Sequence, residues 1–147
     1  MREIRIKRFE ELTNDELYDL LKARFDVFVL EQECLYPEID DKDQRAVHVC
    51  LYEDGKLKAY LRVLNKGVSY EEASIGRVLS LERGKGYATE ILKEGIKAAE
   101  EYFGADSIRI EAQTYAMSLY EKAGFERVSE EFLEDGIPHV EMLWRKR

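Results

Sequence analysis

One strand-to-helix turn, carrying two glycines and two cations, constrains this chain more than any other stretch. Residues 73–82 read Ala-Ser-Ile-Gly-Arg-Val-Leu-Ser-Leu-Glu, apolar and β-branched enough for a buried strand. Downstream, Ala88, Ile91, Leu92, Gly95, Ile96 and Ala99 recur at helical spacing, and the helix runs on to about Phe103. Between the two lies Arg83-Gly84-Lys85-Gly86-Tyr87. The first N–H groups of a helix have no partner within it, and the helix dipole adds positive potential at that end. Gly84 and Gly86 let the backbone approach a ligand with no Cβ in the way, and Arg83 and Lys85 add formal charge. The natural guest is a phosphate or pyrophosphate. The spacing is not Gly-x-x-x-x-Gly-Lys followed by Ser or Thr, which excludes a Walker A loop. It is not Gly-x-Gly-x-x-Gly either, which argues against a dinucleotide fold. Taken alone, these few residues also fit an ordinary basic turn before a surface helix.

The remaining composition narrows the class. A length of 147 residues predicts one domain spanning 1–147. A chain of this size buries roughly two thirds of its unfolded surface, so no staples are needed. The net charge of −8 speaks against general nucleic-acid binding and suits a cationic partner such as an amine. Cys34 and Cys50 have no zinc-site spacing and read as free thiols in a reducing cytosol, and no metal site is expected. No N-terminal stretch reads as a signal peptide and none is long and apolar enough to span a membrane, so a cytoplasmic protein without membrane association is expected.

Along the chain, residues 2–9 alternate as a short edge strand. Thr13 or Asn14 caps a helix that runs to about Leu30. Residues 31–45, rich in acids and holding Pro37, read as a loop with at most a short helical turn. It is either a solvated surface or a wall of a substrate site. Residues 46–53 and 57–64 form a hairpin about Asp54-Gly55. After the 73–103 unit come a strand at 107–113, a short helix at 115–122 stopped by Gly124, a strand at 125–133, and a last strand at 137–144. The 73–80 and 107–113 strands are joined through a helix and should be parallel. The fold class is therefore α/β (α+β): a mixed, mostly antiparallel sheet with a central parallel pair and flanking helices. A ligand cleft belongs where two strands splay.

Two motifs carry a resemblance. Arg83-Gly84-Lys85-Gly86-Tyr87-Ala88 resembles the acyl-coenzyme A pyrophosphate loop of the GCN5-related N-acetyltransferases (GNAT), and Tyr120-Glu121-Lys122-Ala123-Gly124-Phe125 is similar to the Tyr-x-x-x-Gly-Phe segment after that family's fifth strand. The order of elements matches that fold over essentially the whole chain. Runs at 24–32, 36–40, 59–62, 75–78, 111–113 and 132–139 resemble its ElaA-like branch. Where the family often carries asparagine after its fifth strand, this chain has Gln113-Thr114, and Gln113 keeps both donor and acceptor capacity.

The resemblance implies an acetyl-coenzyme A-dependent N-acetyltransferase, with the cofactor as co-substrate and direct attack by a primary amine of a small molecule or peptide. It implies that the backbone of Val78, Leu79 and Ser80 pairs with the pantetheine arm, and that a β-bulge there turns one N–H toward the thioester carbonyl. Arg83, Gly84, Lys85, Gly86, Tyr87 and Ala88 would take the pyrophosphate, with Thr89 adding a hydroxyl. Tyr120 is the candidate general acid, with Tyr115 in reserve, since a phenol of pKa near ~10 stays protonated at neutral pH. Glu111, His139 and His48 are candidate bases, directly or through water, and a neutral amine would need none. Glu31, Gln32, Arg77 and Gln113 would line the acceptor side, Arg77 having an ion pair with this acidic chain as its alternative. A non-catalytic acyl-coenzyme A sensor of the same fold, or another nucleotide-binding module, would share the loop without the chemistry. Either edge strand could pair two subunits into a homodimer.

Overall fold

The computed structural model describes residues 1–33 and 37–147, so the Cys34 thiol and Tyr36 lie outside the described residues. The chain runs β1 (Arg2–Arg8), α1 (Asn14–Arg24), β2 (Val47–Glu53), β3 (Lys56–Leu64), β4 (Ala73–Ser80), α2 (Tyr87–Phe103), β5 (Ser107–Gln113), α3 (Met117–Lys122), β6 (Glu126–Arg127), β7 (Phe132–Glu134) and β8 (Ile137–Arg145). One sheet takes the order β1-β2-β3-β4-β5-β8-β6, with β7 also on β8. Every pairing is antiparallel except β4 with β5.

Alternation sorts the side chains between two cores. Val47, Val49 and Leu51 of β2 meet Ala59, Leu61 and Val63 of β3 beneath Ile91, Leu92, Ala98 and Ala99 of α2. The intervening Cys50, Tyr52 and Tyr60 pack with Leu79 against Leu20 and Ala23 of α1. Both faces of β2 and β3 are thus covered, and each fully buried aliphatic side chain contributes about 1.5–3 kcal/mol. Gly95 lets α2 approach closely, because a Cβ there would sit 2.8 Å from Leu61 Cδ2. Burial pushes the Cys50 thiol up to about 12, which makes it an inert core residue.

Thr13 is the α1 cap. Its hydroxyl accepts from the Glu16 N–H (3.1 Å) and the Glu16 carboxylate accepts from its own N–H (2.9 Å). The first helix does not stay α-helical to Leu30: from Phe25 to Glu31 it widens into a π-helix, whose last bond runs from Gln32 N–H to Val27 O (3.2 Å). The predicted strand at 125–133 is two short strands, β6 and β7. Between them the Ser129 hydroxyl accepts from the Glu141 N–H (2.8 Å), replacing a ladder bond with a side-chain bond.

Candidate active site

The parallel pair holds for two positions only, Ala73 opposite Ile108 and Ser74 opposite Arg109. Beyond them β4 and β5 part, and their free inner edges face each other across a cleft. At the same place β4 slips its register on β3. Tyr60 pairs with Leu79 and Arg62 with Gly76, leaving Arg77 and Val78 both opposite Leu61. This is a β-bulge, and Arg77 takes the left-handed conformation at φ +54°. A non-glycine residue there costs roughly 1–2 kcal/mol.

A buried charge network holds the bulge. Arg77 Nε donates to Glu38 Oε2 (2.7 Å), and the same oxygen accepts from Arg24 Nε (2.6 Å). Arg24, fully buried, also reaches Asp43 Oδ1 (2.7 Å), which accepts from Arg62 Nη1 as well (3.0 Å). Arg62 continues to Asp40 (2.9 Å). Burial alone would raise the Asp40 carboxyl, but the hydrogen bond and charge of Arg62 outweigh it and bring it down to about 2. Glu38 and Asp43 are therefore not part of a solvated loop; they pin residues 37–45 to the sheet. Arg77 takes its alternative role, the ion pair. His48 is excluded as a base: it is completely buried, with Nδ1 on the Tyr60 hydroxyl (2.6 Å) and Nε2 on the Asp43 carbonyl (2.9 Å). Burial holds its pKa below the ordinary imidazole value, so the ring is neutral.

At the mouth of the cleft, β4 runs into residues 81–86. Gly84 and Gly86 have φ +75° and +76°, with open space where a Cβ would stand. Gly86 begins α2 with no side chain capping it, and Glu90 N–H to Gly86 O (3.1 Å) is the first helical bond. The amides of Tyr87, Ala88 and Thr89 therefore precede the helical ladder, flanked by exposed Arg83 and Lys85. The Tyr87 ring points the other way. It is buried, its hydroxyl donates to Glu53, and the Arg2 guanidinium lies 4.5 Å over it, so only its backbone is offered to a ligand. Arg2 also binds the Lys85 carbonyl and Glu90 (2.6 Å), which fixes the loop to β1. The Ser80 hydroxyl is spent on Glu82 O (2.9 Å), while Val78 and Leu79 continue the edge toward the bulge.

From this turn a groove of about 340 Å³ runs between α2 and α3. Leu92, Ile96, Leu119 and Trp144 line it, with Thr89 and three lysines, Lys93, Lys97 and Lys122, among its walls. The lysine spacing at 93 and 97 was the readable signal; its union with Lys122 was not.

The β5 side carries the other candidates. Tyr120 packs in the α2-side core, edge-on to Phe125 at 5.8 Å, and burial pushes its phenol pKa further up. Tyr115 is 77% exposed. Glu111 and Gln113 project from the opposite face of β5. Gln113 exchanges amide hydrogen bonds with Gln32 (3.1 and 3.3 Å) and pairs across the strands with His139. His139 Nδ1 bonds the Ile137 carbonyl (2.7 Å) and its ring stacks on Phe132 at 6.0 Å, so it presents Nε2 alone. Glu31 lies exposed at the end of the π-helix, beside Gln32. Two groups escaped the sequence reading: Tyr70, whose phenol pKa is pushed up by burial and by Glu111, and Glu134, whose carboxyl is raised to about 7, chiefly by Glu111.

Residues 10–146 match the acetyltransferase (GNAT) domain family. A UPF0039 protein of Schizosaccharomyces pombe is 39% identical over 140 residues, covering 92% of each chain. Protein ElaA of Escherichia coli is 33% identical over 136 residues, covering 90% of this chain and 89% of its own. Its crystal structure superposes with a TM-score of 0.91 over 99% of this chain and 100% of that one. An acyl-CoA N-acyltransferase from Pseudomonas aeruginosa gives a TM-score of 0.90 at 36% identity, covering 98% and 99%. At 23% identity, where only the fold is comparable, a Bacillus subtilis acetyltransferase solved with CoA gives 0.66 over 100% of both chains.

Proposed function

The chain belongs to the acetyltransferase (GNAT) family, in its ElaA-like branch, and from that premise we propose that it transfers an acetyl group from acetyl-coenzyme A to a primary amine. The observation that carries this reading is the juxtaposition at one cleft of an uncapped glycine-led helix start, a free strand edge and a bulge held by buried charge.

In this reading the amides at the start of α2, with Arg83 and Lys85, hold the pyrophosphate. The edge at Val78 and Leu79 takes the pantetheine arm as an added strand. The α2–α3 groove accepts the adenosine end, with Lys93, Lys97 and Lys122 near its phosphate. The bulge aims a backbone N–H at the thioester carbonyl, an oxyanion contact worth about 3 kcal/mol in the transition state. Positioning the amine against that carbon supplies most of the rest, at best roughly 7–11 kcal/mol. The amine nitrogen bonds to the carbonyl carbon and gives up one proton, the carbon–sulfur bond breaks, and Tyr120, protonated at all physiological pH, donates to the departing thiolate, the proton lost by nitrogen restoring the phenol through solvent.

The test is coenzyme A release across polyamines, amino sugars, aminoglycosides, amino acids and N-terminal peptides, with wild type beside Tyr120→Phe. The expected result is turnover of one class. The variant should lose about a hundredfold in kcat, with coenzyme A affinity unchanged by calorimetry. Tight coenzyme A binding without turnover on any amine would replace the enzyme with an acyl-coenzyme A sensor. No binding at all would refute the account of the loop.

A further inference from the structure

The first strand reaches the phosphate turn through one side chain. Arg2 stands opposite Glu53 in the β1–β2 ladder. Its guanidinium serves four partners. Nε donates to Glu53 Oε2 (3.4 Å), Nη1 to Glu90 Oε1 in the first turn of α2 (2.6 Å), and Nη2 to the Lys85 carbonyl. Its face lies 4.5 Å over the Tyr87 ring, and the Tyr87 hydroxyl donates to the other oxygen of Glu53. Two carboxylates flank one guanidinium, so the cluster offers no net positive charge to an anion. Its contribution is direction.

The Lys85 carbonyl and the Gly86 N–H belong to one trans peptide unit and point opposite ways. With the carbonyl drawn to Arg2, the N–H faces away from it. Gly84 and Gly86, at φ +75° and +76°, leave the turn free to rearrange when nothing holds it. A half-turn of the 85–86 unit would put a carbonyl oxygen where the N–H stands, and that oxygen would repel a phosphate.

We propose that Arg2 is a positioning residue for the pyrophosphate: by gripping the Lys85 carbonyl it keeps the 85–86 peptide unit from flipping, and so presents the Gly86 N–H together with the free amides of Tyr87, Ala88 and Thr89. The proposal rests on the coenzyme reading of the loop given above. Arg2 itself touches no ligand. A loose glycine turn must be ordered as the ligand binds, whereas this one is ordered on folding, and affinity is gained without a new contact. The role belongs to arginine. Its planar fork meets the carbonyl and Glu90 at once while stacked on Tyr87, and a lysine ammonium is a single point that does not span them.

The test is calorimetry of coenzyme A with wild type, Arg2→Met and Arg2→Lys, at about 0.05 and about 0.5 M potassium chloride. Both variants should weaken binding about tenfold, by the same factor at either salt concentration. Wild-type affinity in Arg2→Lys, or a loss that disappears at high salt, would make Arg2 a source of charge and overturn the proposal. Nitrogen-15 spectra of glycine-labelled, ligand-free protein give a second reading. The Gly84 and Gly86 amides should be single in the wild type and broadened or doubled in Arg2→Met, with Gly95, Gly104 and Gly124 unmoved. Disturbance of all these glycines together marks a merely structural role and overturns the proposal, as do loop signals that stay sharp and unshifted. Equal coenzyme A affinity in the three proteins refutes the role of Arg2 alone, whereas no binding by the wild type refutes the loop reading beneath it.

Discussion

Replacing Arg24 by methionine tests the charge network that holds residues 37–45 against the sheet. Three arginines, 24, 62 and 77, face three acids, 38, 40 and 43, so the cluster is neutral as a whole. Arg24 is fully buried and touches both Glu38 and Asp43 at 2.6 and 2.7 Å. Methionine fills much of the space but leaves one buried negative charge in excess. Breaking a buried pair from one side costs about 3–5 kcal/mol. Because Glu38 keeps Arg77 and Asp43 keeps Arg62, the lower end applies, about 3 kcal/mol, or roughly 10 °C in Tm for a chain of this size. The pH dependence gives a second reading. In the wild type, burial would raise Asp43, but Arg24 and Arg62 outweigh it and its folded pKa lies below the unfolded value. That contribution is present above the unfolded pKa, about 3.9, and is lost as pH falls through the folded value. Without Arg24 the folded pKa rises, so protonation relieves the variant before it harms the wild type. Urea unfolding at pH 7.5 and pH 4.5 should show the gap between the two proteins narrowing on acidification. A loss under 1 kcal/mol at pH 7.5, or a gap that holds or widens at pH 4.5, would refute the reasoning.

Two further outcomes are expected. Reversing Lys93 and Lys122 together to glutamate should weaken coenzyme A binding about tenfold in calorimetry and leave dephospho-coenzyme A nearly unaffected; equal losses for both would move the 3′-phosphate out of the groove. Burial alone would raise the Glu16 carboxyl, but Lys7, the Thr13 amide and Arg5 outweigh it and bring it down to about 2. Its contribution is therefore full above pH ~4.5 and lost on acidification toward 2, so Glu16→Gln should be less stable at pH 7 and show a flatter acid limb in urea titrations.

The sheet was legible because its signals are local. Alternation in residues 46–53, the Asp54-Gly55 turn and the glycine-led helix start each depend on neighbours in sequence, and the order of elements followed. The network did not read out, because its partners lie on separate elements: Arg24 and Glu38 are 14 residues apart, Arg24 and Asp43 are 19 apart, and Arg77 and Glu38 are 39 apart. Acids in a polar stretch look the same whether they meet water or buried arginines. His48 shows the reverse: one position in an alternating strand could not reveal that both ring nitrogens were already engaged. The sequence placed Tyr87 among the phosphate-loop residues but could not show that its ring anchors the turn to Glu53 and Arg2. Glu134 sits in an exposed hairpin, and only the fold of β7 onto β8 brings it to Glu111.

The choice of arginine at the bulge links these parts. A glycine would adopt φ +54° at position 77 without strain, whereas arginine loses roughly 1–2 kcal/mol there. Glycine has no side chain to reach Glu38 and Asp40, and those contacts join the bulge to residues 37–45 and, through Arg24, to the first helix. The strain is offset only while that segment is docked. The bulge and the 37–45 segment therefore form as a unit, and the strand edge proposed to receive the coenzyme is shaped by charges far from it in the sequence. Charge-assisted bonds to three arginines fix that edge more firmly than apolar packing of the same segment would, since each guanidinium sets direction as well as distance.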